Sequence, residues 1–117
     1  MNKLARDRRF GRIREIGCLC CRRKGWWNAP DVHHLNLDEH AGQLRLGDEQ
    51  TIGLCIWHHR NQPLAPFTEA QCRRILGPSL PGEPIKFREE FGADQALLAW
   101  QDELIADHER AVIGRAA

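Results

Sequence analysis

The sequence predicts a small α+β domain: a strand, a loop, a strand and a helix at the centre, helices on both flanks, and a metal staple between them. Three observations lead there. Two short stretches, residues 31–37 and 51–54, read as strands, while the segments outside them have helical spacing. Cys18 and Cys21 are separated by two residues, as are Cys55 and His58, and the pairs stand 34 residues apart, the spacing of a structural tetrahedral zinc site. A chain of 117 residues makes one compact domain with a modest core, so long loops need something to hold them.

In chain order, Leu4, Phe10, Ile13 and Ile16 recur among basic residues at helical spacing, which predicts a basic helix or arm over 2–16. Gly17 interrupts it, and Cys18-Leu-Cys-Cys21 is expected in a tight turn. RRKGWWNAP reads as a loop broken by Gly25 and Pro30. Asp31 to Leu37 follows as a strand, DEHAGQLRLGD (38–48) as a polar loop, and Thr51 to Leu54 as a second strand. A helix is expected from Ile56 toward Asn61, ended by Pro63 and Pro66. FTEAQCRRIL (67–76) carries a cap at Thr68 and a stop at Gly77. A short helical turn is expected over 85–91, with Gly92 closing it. Asp94 is then expected to cap a long structural helix reaching Ile113, with Leu97, Leu98, Leu104, Ile105, Val112 and Ile113 forming a broad apolar stripe. The organisation is a basic N-terminal arm or helix (1–16), a zinc-stapled core (17–92) and a C-terminal helix packed on that core (93–117).

Hydrophobic residues make up 42% and charged residues 28%, a soluble balance, and no apolar run approaches membrane length. The N-terminus is charged with no apolar stretch after it, so it does not read as a secretory leader, and a reducing, cytoplasmic compartment is expected. The five cysteines then read as thiols. Net charge is only +1, yet residues 1–24 hold nine basic groups against two acidic ones. That block is either an electrostatic footprint for phosphate backbone or a solvated, salt-bridged helix face.

In the cysteine–histidine frame, each pair lets one turn present two ligands, and the ion would clip the N-terminal loop to the central helix. Cys20 is an alternative to Cys18 or Cys21, although adjacent cysteines are bad partners; Cys72, inside a helix, reads as a buried thiol. The competing reading is scattered cysteines without metal. A redox role needs a helix opening after a parallel strand, which nothing here suggests. His33, His34 and His59 remain outside the zinc. Neighbours in a strand diverge, so His33 and His34 cannot easily share an ion but can divide labour, one holding a metal and one handling a proton. His59 stands about 100° round the helix from His58. A ribbon packed on that helix would bring His33 or His34 to it.

At these residues the chain resembles the HNH (ββα-metal) endonucleases with a structural zinc: Cys18-x2-Cys21, then Val32-His33-His34-Leu35, then Cys55-x2-His58-His59-Arg60. His58 stands where the usual zinc-stapled version has a cysteine. IGCLCC, VHHL, DEQTIGLCIWHHR and FREEFG are similar to phage recombination-enhancement nucleases of the Ref type, which act with RecA, over residues 13–92. The resemblance implies a ββα-metal core and a DNA substrate, with a RecA filament as partner. It implies His34 as the general base, His33 and His59 as ligands of a catalytic divalent ion (magnesium, manganese or a second zinc), and Thr51 at the position of the family's middle asparagine. Where some relatives carry a further histidine this chain has Pro63, so water would complete the shell, and Asn61 is a candidate extra ligand or substrate contact. Arg6, Arg8, Arg9, Arg12 and Arg60 would face DNA.

An imidazole titrating near neutrality suits proton removal from water, and a cation suits the charge that develops on phosphorus. Trp26 and Trp27 read either as cover for the zinc or core, or as a stacking platform for unpaired bases. Trp57 reads as packing, His108 as surface, and His40 stays unassigned. The leading expectation is a metal-dependent DNA endonuclease. The runner-up is a zinc-stabilised DNA- or RecA-binding module with weak or no cleavage, and a purely structural zinc domain would leave His33, His34 and His59 idle.

Overall fold

A computed structural model describes residues 1–36 and 46–116; the greater part of the expected 38–48 loop, with His40, lies outside them. Helix α1 (Lys3–Ile16) starts where the Asn2 side chain accepts the Ala5 amide and stops at Gly17, whose φ of 92° lies in the left-handed region. Helix α2 (Leu19–Arg23) replaces the expected tight turn, because Cys18 acts as an N-cap with its sulfur accepting the Cys21 amide at 3.5 Å.

Strands β1 (Asp31–His34) and β2 (Thr51–Leu54) form an antiparallel ribbon in which Asp31 faces Leu54 and His34 faces Thr51. β1 is shorter than the expected span to Leu37, which lies outside the described residues, although Leu35 still donates to the Gln50 carbonyl. Helix α3 (Ile56–Arg60) begins on Cys55, whose sulfur accepts the His58 amide at 3.5 Å. It ends before either expected proline: Asn61 adopts the left-handed conformation (φ 58°, ψ 30°) and closes it.

Helix α4 (Glu69–Leu76) has the expected Thr68 cap, completed into a reciprocal capping box by Gln71, and the expected Gly77 stop. Helix α5 (Pro84–Phe91) opens with proline in its first turn and closes at Gly92. Helix α6 (Asp94–Ala116) contains Asp94 in its first turn instead of being capped by it. Its apolar stripe is only partly used. Leu97 is buried and Leu98 and Leu104 pack against the core, but Ile113 is exposed. The reason lies in α1, which packs along α6 and offers it charge: Arg9 reaches Asp102 at 2.7 Å, and Arg8 and Arg12 reach Glu109. His108, expected on the surface, is partly covered and pairs with Glu15 of α1.

The core gathers Leu19, Leu35, Ile52, Leu54, Trp57, Leu76, Phe87, Phe91 and Leu97. Trp57 is fully buried, as expected for packing, and donates to the Gly77 carbonyl at 2.9 Å. Gly53 is the point where α1 and the turn after it press on β2: a Cβ there would lie 2.9 Å from Ile13 Cγ2. The outer edge of β2 is closed by side chains, since the Gly53 amide donates to Gln101 Oε1 at 2.8 Å and Arg9 donates to the Thr51 carbonyl at 2.6 Å.

Candidate functional site

The spacing of both zinc-type pairs has one structural meaning. Cys18 and Cys55 are N-caps, and Cys21 and His58 are the third residues of the helices that follow. On a helix start those two positions lie side by side, so each pair converges without help from elsewhere. The two helix starts meet. The His58 Nδ1 lies 3.4 Å from Cys18 Sγ, 3.5 Å from Cys21 Sγ and 3.3 Å from Cys55 Sγ, and the Cys21 and Cys55 sulfurs are 3.5 Å apart. Bond lengths of about 2.3 Å to sulfur and 2.0–2.1 Å to nitrogen give tetrahedral edges of about 3.6–3.8 Å, so the four donors need to spread only slightly to hold zinc. All four are buried and all donor atoms lie within 4.8 Å of one another.

The surroundings fix the donors. His58 Nε2 lies 2.8 Å from the Leu76 carbonyl, which can only accept, so Nε2 carries a proton and Nδ1 is the nitrogen turned to the sulfurs. Asn28 Nδ2 donates to Cys21 Sγ at 3.3 Å. Burial works against charge on Cys18, but hydrogen bonds from Cys20, Cys21, Cys55 and His58 outweigh it and hold its thiol well below the ordinary range. Burial likewise lowers His58, yet its contacts with Cys18 and Cys55 raise it to about 9. The cluster thus shares a proton that a zinc ion would displace. Cys20 is left out of the set and is pushed up by burial, and Cys72 is the expected buried thiol, its sulfur accepting from the Leu64 amide.

The second histidine cluster spans the ribbon and α3. His33 and His59 meet with ring centroids 4.9 Å apart. His59 Nδ1 pairs with Asp31 Oδ2 at 2.9 Å, and Arg60 Nε binds the same oxygen at 2.8 Å. Burial, then the charges of His59, His34 and Arg88, lower His33 to about 4, so its ring is neutral at pH 7. His34 points to the other side of β1, edge-on to Phe10 at 6.1 Å, with Nε2 on Asp48 Oδ1 at 2.8 Å.

Thr51 stands opposite His34 in register and is fully buried. Its hydroxyl donates to the Asp48 carbonyl at 2.8 Å and accepts from Arg9 Nε at 2.9 Å. A chain of contacts therefore runs Asp102–Arg9–Thr51–Asp48–His34. Asp31 and Asp48 were not found by sequence reasoning. Asp31 had a usable signal, because it lies two residues before His33 and so shares its strand face. Asp48 had none, since only the fold brings it to His34.

Asn61, the candidate extra ligand, instead engages Ser79 at 2.5 Å. The five arginines expected at DNA all have acidic partners. Arg9 is turned inward, its side chain 12% exposed, and is held by Thr51 and Asp102. Arg12 bridges Glu15 and Glu109. Arg6 on Asp7, Arg8 on Glu109 and Arg60 on Asp31 keep 37%, 61% and 57% of their side chains in solvent. Among the described residues no helix is long and apolar enough to cross a membrane.

A family model described as recombination enhancement, RecA-dependent nuclease matches residues 4–106. Comparisons with curated proteins and with solved structures gave no match.

Proposed function

The chain belongs to the recombination-enhancement, RecA-dependent nuclease family, and from that premise we propose that it is a metal-dependent DNA endonuclease with an HNH (ββα-metal) core, acting with RecA filaments in recombination. Its place of work is then the cytoplasm of a bacterium or phage-infected host. The observation that carries the mechanism is the division of the histidines: His58 among three cysteines, His33 against His59, and His34 alone on the far side of β1 with Asp48.

In this reading Cys18, Cys21, Cys55 and His58 hold a structural zinc that clips α2 to α3. His33 and His59 would hold a catalytic divalent ion, magnesium or manganese or a second zinc. That ion, when bound, supplies positive charge against the charge developing on the phosphate. Asp31 orients His59, as carboxylates orient ligating imidazoles elsewhere. His34 takes the proton of the attacking water. With Nε2–H given to the Asp48 carboxylate, Nδ1 is the nitrogen left to accept it. Thr51 acts through Asp48 by holding its backbone. Arg6, Arg8 and Arg60, whose own side chains stay exposed, exchange their acidic partners for phosphates, whereas Arg9 positions the ribbon and Arg12 ties α1 to α6.

The second reading, a zinc-stabilised module that binds DNA or a RecA filament with weak or no cleavage, has one observation in its favour. Among the described residues the three cysteines with His58 are the only metal-holding group of three or more donors, so His33 and His59 stand as two. Nicking of plasmid DNA separates the readings. Cleavage that depends on magnesium or manganese, with or without RecA filaments, and that fails in His34→Ala supports the nuclease. Binding without cleavage under all of these conditions supports the module.

A further inference from the structure

We infer that the groove between the end of α1, the loop after α2 and the middle of α6 is a pocket for one unpaired nucleotide of single-stranded DNA. The inference deepens the nuclease reading and rests on DNA being the substrate.

Residues 22–27, Arg-Arg-Lys-Gly-Trp-Trp, place three cations and two indoles within one turn of chain. The fold gives the two indoles different work. Trp26 stands edge-on to Phe67, with centroids 5.8 Å apart, and covers the loop before α4. Trp27 lies over Gly17, where a Cβ would come within 2.7 Å of the indole nitrogen, and donates to the Glu15 carbonyl at 3.2 Å. The ring is therefore fixed by backbone. Yet it is 59% exposed and takes no part in the core cluster. A tryptophan held in place but left to solvent is a surface prepared for a flat partner.

Beside it is a cavity of about 330 Å³ lined by Trp27, Ile16 and Leu104, with Arg22, Glu15 and Asp107 at its polar side. That is the small end of the range for ligand pockets, about 300–1,000 Å³, and suits a single base, not a duplex. The chemistry matches. Indole and aliphatic walls stack a base face, carboxylates accept from exocyclic amines, and a guanidinium meets phosphate. Among the described residues Arg22 is exposed and has no ion pair, whereas Arg6, Arg8, Arg9 and Arg12 of α1 are paired. The acids do not make the groove repel DNA, because Glu15 is paired with Arg12 and His108, and Asp107 with Arg110.

A paired base shows only its edges, so stacking of this kind selects an unpaired strand. Trp27 is four residues before Asp31, so their Cα atoms are at most about 14 Å apart. A base seated on Trp27 is thus a few nucleotides from His33 and His59.

The test is fluorescence anisotropy with a short labelled single strand and the duplex of the same sequence, without added magnesium or manganese so that binding alone is read. Trp27→Ala should weaken single-strand binding by about 5- to 150-fold, the scale of one lost base stack, and Trp27→Phe should restore most of it. Arg22→Gln should flatten the salt slope of single-strand binding by about one. Duplex affinity should hold within about twofold in all three, because a duplex offers no free base face. Wild-type single-strand affinity in a folded Trp27→Ala overturns the pocket, and so does an equal loss for single strand and duplex. If Trp27→Ala fails to fold by circular dichroism, Arg22→Gln, on an exposed side chain, decides alone. A wild type that binds single strands through Trp27 but cleaves nothing defeats the nuclease reading and leaves the pocket standing. Cleavage by the wild type with normal binding by Trp27→Ala does the reverse.

Discussion

Asp48 and His34 show at the scale of one residue how much of the chemistry depends on a partner. A general base needs its proton-accepting nitrogen fixed, and in the proposed mechanism the Asp48 carboxylate does this for His34 by holding the other nitrogen. His34→Ala should fold, keep zinc and lose cleavage by about a hundredfold or more, the usual scale for a lost general base. Asp48→Asn should lower kcat with little change in KM, because the amide holds the ring but no longer favours the same tautomer; a change confined to KM would reassign Asp48 to substrate binding. His33 gives a pH prediction. Its folded value of about 4 lies below its ordinary 6.5, so between those pH values the unfolded chain binds a proton that the folded chain refuses. The stability contribution of the neutral ring is therefore complete above pH 6.5 and is lost as pH falls toward 4. Urea midpoints of wild type and His33→Phe should show it: the wild type should lose more stability than the variant across that window, and parallel curves would contradict the burial argument.

Among the elements, the two zinc-type pairs were legible from their spacing, because each occupies an N-cap and the third helical position, although only α3 was expected as a helix and the residues of α2 were expected as a tight turn. The same holds for α4, whose Thr68 cap and Gly77 stop are written in neighbouring residues. Helix α1 was legible as a basic helix but not in its purpose. The partners of Arg9 and Arg8, Asp102 and Glu109, lie 93 and 101 residues away, and no local pattern announces them. On the proposed function, the block of positive charge in α1 does two jobs. Arg9 ties β2 to α6, so Arg9→Ala leaves the Thr51 carbonyl and hydroxyl short of a donor and should cost about 1–3 kcal/mol in denaturant unfolding. Arg8→Ala, on an exposed side chain, should leave stability nearly unchanged and instead reduce the salt slope of DNA binding by about one. If Arg8→Ala leaves that slope intact, α1 is a structural helix throughout.

Across the whole molecule, a two-stranded ribbon is too small to stand alone, and its faces are covered by α1, α3 and α6. The cysteine–histidine set joins the α2 and α3 starts across that body, so the binding free energy of a metal such as zinc there would be folding free energy. The central claim is that adjacent histidines on α3 serve different ions. It is tested most directly by measuring zinc content and plasmid nicking against magnesium or manganese concentration in His58→Ala and His59→Ala side by side. The account predicts that His58→Ala loses zinc and its fold, while His59→Ala keeps about one zinc per chain and the fold but needs more magnesium or manganese for whatever cleavage remains. Zinc lost from His59→Ala and retained by His58→Ala would contradict it.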